Sequence, residues 1–119
     1  MAGFRSGGGG GGSGFGSGDS FALNYQQATG TTYNVDNDDE IIGVTNAGEV
    51  TINLPAAAAS SGRRLIIKIE HDRAANSNGV IVDPNASELL DGAGTLSFGA
   101  NSSYSAVTIY CNGTAWFQI

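Results

Sequence analysis

The chain has 119 residues, a formal net charge of −6, 19 glycines, 13% charged side chains and one cysteine. That length holds one domain with its own core, the acidic balance excludes a basic face for nucleic-acid phosphates, and a single thiol excludes an internal disulfide. No apolar run approaches the ~20 residues of a membrane-spanning helix, and no apolar leader is visible near Met1, so neither a membrane partner nor a secretory signal is expected.

Residues 1–20, MAGFRSGGGGGGSGFGSGDS, differ in composition from everything after them. Glycine and serine surround three anchors, Phe4, Arg5 and Phe15. Fixing a backbone costs roughly 1–2 kcal/mol per residue, so ordering Gly7, Gly8, Gly9, Gly10, Gly11 and Gly12 costs on the order of 6–12 kcal/mol. These glycines have no side chains to recover that cost. The segment therefore reads as an arm that lies along a neighbour. Glycine allows close backbone approach there, and Met1, Phe4, Arg5 and Phe15 flank the contact. The expected division is an extended arm over 1–20 and a β domain over 21–119.

The β domain begins with FALNYQQ, where Phe21, Leu23 and Tyr25 alternate, and continues with Thr31 to Val35. The cluster Asp36, Asn37, Asp38, Asp39, Glu40 follows. Alternating carboxylates suit calcium, but Ile41 stands at the sixth loop position, where an EF-hand needs glycine, and the twelfth position has no glutamate. The spacing predicts a turn with solvated carboxylates. Ile41 to Thr45, Val50 to Leu54, Arg64 to Glu70 and Gly79 to Asp83 are strands by β-branched content and alternation. Pro55 ends the second of these, and Ala56 to Ser61 has room for one helical turn before Gly62. Asp83-Pro84 and Asp91-Gly92 mark turns, with a short strand around Leu96 and Phe98.

The last stretch, YSAVTIYCNGTAWFQI, is the strongest local signal. Two alternating runs flank Asn112-Gly113, the signature of a type I′ hairpin. Val107, Ile109 and Cys111 share one face of the first arm. Large side chains on both faces of both arms predict a central hairpin. The fold class is all-β: a compact antiparallel sandwich, jelly-roll-like, of about eight short strands behind an extended Gly-rich arm.

Catalytic constellations are absent from the sequence. His71 is the only histidine, and its neighbours Glu70 and Asp72 point away from it on an extended backbone. It reads as an exposed loop residue. Cys111 reads as a small buried hydrophobe. Gly92-Ala93-Gly94 lacks the βαβ context of a dinucleotide site, and Gly7 to Gly12 lacks the Lys-Ser/Thr of a phosphate loop. No catalytic residue, metal or cofactor is expected, and the chain reads as a non-enzyme.

The succession DDEIIGVTNAGEVTINLPAAAASSGRRLIIKIE, VIVDP, LLDGAGTLSF, SSYSAVTIYCNGTAWFQI resembles a β-module found in virion proteins of tailed bacteriophages. Such modules run an acidic turn, a strand ending Leu-Pro, a Gly-Arg-x-Leu-x-Ile-Lys strand, an Asp-Gly turn and a closing hairpin with Asn-Gly and Trp. The likeness covers residues 36–119. It implies a structural or adhesive role in a head decoration (cement), head-fibre or tail-fibre protein, commonly a homotrimer. The short chain with its single arm suits a capsid decoration protein on the virion exterior, made in the host cytoplasm, whose arm contacts the major capsid protein or other virion proteins. Binding of host-surface glycans by a fibre module is the alternative, with Trp116, Tyr104 and Tyr110 as the stacking candidates.

Overall fold

Alternation in the sequence becomes strands within a residue or two of the expected positions, except that the first strand begins at Tyr25 and leaves Leu23 outside it. The computed structural model describes residues 22–72 and 79–119, so the predicted arm over 1–20 and Phe21 lie outside the described residues. The strands are β1 (Tyr25–Ala28), β2 (Thr32–Asn34), β3 (Ile41–Val44), β4 (Val50–Asn53), β5 (Arg64–Ile69), β6 (Val80–Asp83), β7 (Leu96–Phe98), β8 (Ala106–Cys111) and β9 (Trp116–Gln118). One 3₁₀ turn, Ala57–Ala59, stands where a helical turn is predicted. Among the described residues no helix is long and apolar enough to cross a membrane.

The strands form a five-stranded sheet, β9-β8-β5-β3-β1, and a four-stranded sheet, β2-β4-β6-β7. Successive strands from β1 to β6 alternate between the two sheets, and each return lies parallel to the previous strand of that sheet. The chain therefore winds as a flattened coil of three rungs: β1 with β2, β3 with β4, and β5 with β6. Only the last part turns back, with β7 antiparallel to β6, β8 to β5 and β9 to β8. The fold is all-β as expected, but its pairing is mixed, and the antiparallel, jelly-roll-like arrangement is corrected accordingly. The physical reason lies in the connections. Parallel neighbours need a crossover, and here the intervening strand of the opposite sheet is that crossover. None of the links between β1 and β6 offers the two-residue turn that would fold a strand back beside itself.

The winding stacks like on like. Ile42 stands opposite Ile67, and Val44 opposite Ile69, in the five-stranded sheet. Val50 stands opposite Val80, and Ile52 opposite Val82, in the other. These side chains join Leu65, Leu90, Val107, Ile109, Cys111 and Trp116 in one buried cluster shared by both sheets. Full burial of each Ile, Leu or Val contributes about 1.5–3 kcal/mol. Leu54 and Ala57 extend the cluster beneath the 3₁₀ turn. That turn is fastened by the Ser60 hydroxyl, which donates to the Ala56 carbonyl at 2.9 Å, and by Glu88 Oε1, which accepts from the Ala57 N–H at 3.0 Å.

The closing hairpin differs from expectation in two ways. Cys111 pairs with Trp116, so the chain reverses at Gly113-Thr114, one residue later than the predicted Asn112-Gly113. Gly113 has φ +96°, and neither Asn112 nor Thr114 has positive φ, which excludes a type I′ turn and matches the glycine-first type II′ pattern. Asn112 acts through its side chain instead: its Oδ1 accepts from the Thr114 and Ala115 N–H groups, both at 2.9 Å. The hairpin is also not central, because β9 forms one edge of its sheet.

Candidate functional site

The acidic turn between β2 and β3 draws several polar groups together. Asp39, expected to be solvated, is buried, while Asp36 and Asp38 are exposed. The reason is that Asp39 serves as an internal acceptor. Its Oδ2 takes the Tyr33 hydroxyl at 2.7 Å and the Asp36 N–H at 2.8 Å. The Asp39 N–H donates back to the Asp36 carbonyl at 3.2 Å, and the Arg63 guanidinium caps the Asp36 and Asp39 carbonyls from outside. Burial pushes the Tyr33 phenol well above its ordinary pKa, and the bond to Asp39 adds to the shift. Carboxylate oxygens of Asp36, Asp38 and Asp39 lie within 4.8 Å of one another, as a cation site would require. Yet Asp39 Oδ2 is already shared by two donors, and Arg63 occupies the carbonyls beside it. The geometry is that of a turn lock.

His71 is half-buried, contrary to the exposed position expected of it. Its Nδ1 lies 2.7 Å from the Asp72 carbonyl oxygen and its Nε2 lies 3.0 Å from that of Asn46, so it bridges the β3–β4 turn to the end of β5. Cys111 is buried, as read from the sequence, with its thiol 3.5 Å from the Ala57 carbonyl oxygen. An open groove of about 290 Å³ lies on the four-stranded sheet, bordered by Glu49, Gly79, Ile81, Ser97 and Phe98.

The outer face of the five-stranded sheet carries a different chemistry. Inward positions on β3, β5 and β8 are the core residues, so the alternate positions point outward. In register these form rows that cross the sheet. The middle row is Tyr25, Ile41, Ile66 and Thr108, extended by Ile119, whose N–H donates to the Thr108 carbonyl at 2.9 Å. On one side stand Arg64, Tyr110 and Phe117, with the two rings stacked at 5.5 Å. On the other stand Gln27, Gly43, Lys68 and Ala106. Just past β5, Glu70 covers Gly43 and accepts the Tyr25 hydroxyl at 2.6 Å. That hydrogen bond raises the Tyr25 pKa. The Lys68 ammonium donates to the carbonyl of Tyr104. Tyr25 and Tyr110 are each 42% exposed and Ile119 is 73% exposed.

No known protein family matches this sequence, and no curated protein is significantly similar to it. The likeness to phage virion modules therefore rests on the residues quoted for it. The arm residues Met1, Phe4, Arg5, Gly7 to Gly12 and Phe15 lie outside the described residues. Of the three aromatic stacking candidates, Trp116 is buried in the core, whereas Tyr104 and Tyr110 face solvent. Tyr104 also has φ +56°, unusual for a bulky residue. Sequence reading passed over Tyr33 as a partner of Asp39. Of the outward row from Tyr25 to Ile119 the sequence shows only part: Ile66 and Ala106, apolar residues on the second face of their strands, point to a face covered by another subunit.

Proposed function

We propose that this chain is a non-enzymatic structural protein of a bacteriophage virion, a capsid decoration or cement protein. Its module self-associates as a homotrimer, and the arm over residues 1–20 attaches it to the shell. One observation carries the structural reading: five polar side chains, Asp39, Glu40, Glu88, Asp91 and Asn112, hold backbone N–H groups. Asp39 locks the turn before β3, and Glu40 accepts the Asn24 N–H at 2.8 Å. Glu88 fastens the 3₁₀ turn, Asp91 accepts the Gln118 N–H at 3.1 Å, and Asn112 closes the last hairpin. Carboxylates engaged in this way are poor candidates for proton transfer, which needs a group free to reach a substrate. They suit a rigid block presented on a surface. The resemblance of residues 36–119 supplies the virion setting, and the Gly-rich arm supplies the attachment.

Attachment is tested by adding the protein to particles stripped of their native copies. Phe4→Ala and Phe15→Ala in the full chain should each lower occupancy, since an interface aromatic typically contributes over ~2 kcal/mol. Deleting Met1 to Gly18 should abolish binding while the circular dichroism of the module persists. Equal occupancy by parent and variants would refute arm-mediated attachment. The second reading, a head-fibre or tail-fibre adhesin for host glycans, is favoured by the exposure of Tyr104 and Tyr110. Glycan-array binding lost in Tyr104→Ala would establish it, and a few copies per virion instead of many would place it at the tail.

A further inference from the structure

We draw no further inference here: the strongest candidate, the open groove on the four-stranded sheet beside Glu49, Ile81 and Ser97, has nothing in the structure to show what would occupy it.

Discussion

Breaking the bond between Tyr33 and Asp39 is the sharpest way to test whether the acidic turn is structural. Asp39 is 1% exposed, and its Oδ2 has two donors, the Tyr33 hydroxyl at 2.7 Å and the Asp36 N–H at 2.8 Å. A hydrogen bond to a carboxylate contributes about 1.5–3 kcal/mol, so Tyr33→Phe should cost that much, leaving Asp39 only the Asp36 N–H. Asp39→Ala removes both acceptor contacts and a buried side chain, for a loss of about 3–4 kcal/mol. The two losses should not add. A double-mutant cycle should show coupling of about 1–2 kcal/mol, because the second substitution removes a bond already gone. Urea unfolding followed by tryptophan fluorescence gives the free energies, with Trp116 reporting from the core. Thermal melts should show Tyr33→Phe lowered by about 8–15 °C for a domain of this size. If the cycle closes additively to within about 0.5 kcal/mol, the turn is not held by this bond and the reasoning fails.

Gly113→Val should destabilise the module by about 2–3 kcal/mol, because its φ of +96° strains a β-branched residue and the new Cβ would lie 3.2 Å from Ser61 Oγ. Melts of mutant and parent that coincide within a degree or two would refute this. Alkaline pH should also weaken the fold. Burial and Asp39 raise the Tyr33 pKa, so the folded state holds the phenol proton more tightly than the unfolded state does. The resulting stability is complete below about pH 10, the unfolded value, and falls as pH rises beyond it. Urea midpoints between about pH 8 and 11 should decline in the parent and decline less in Tyr33→Phe, while equal slopes would assign the effect elsewhere.

The positions of the strands were legible because each is a local pattern. RLIIKI and AVTIYC bury alternate residues as read. Parallel pairing was not legible in the same way, because a half-buried strand alternates whichever direction its neighbour runs. One longer-range signal was available: IIGV at Ile41 recurs as IIKI at Ile66, and VTIN at Val50 as VIVD at Val80, and these are the segments that stack. The turn at Gly113 was found but misplaced by one residue, since Asn112 serves a hairpin equally well as a central residue or as a side-chain acceptor. For the acidic turn, sequence offered two local options, solvated or metal-binding. The third arrangement depends on Tyr33, brought over the turn by β2, and on Arg63, more than twenty residues away. The outward row from Tyr25 to Ile119 was visible only in part, because its members come from five separate strands.

The winding also governs how the chain must acquire its structure. In the five-stranded sheet β1 joins β3, and β3 joins β5, across 16 and then 25 residues, with a strand of the other sheet made in between. Through β6 the two sheets must grow in step, and loop-closure entropy is spent well before the contacts are gained, so folding should be slow for a module of this length. The β8–β9 hairpin is the tightest local pairing, and it brings Trp116, the largest fully buried side chain. During synthesis that hairpin leaves the ribosome after every other described strand. Until it does, β5 lacks its β8 partner and the core lacks its largest member, so the nascent coil waits for this hairpin to close it.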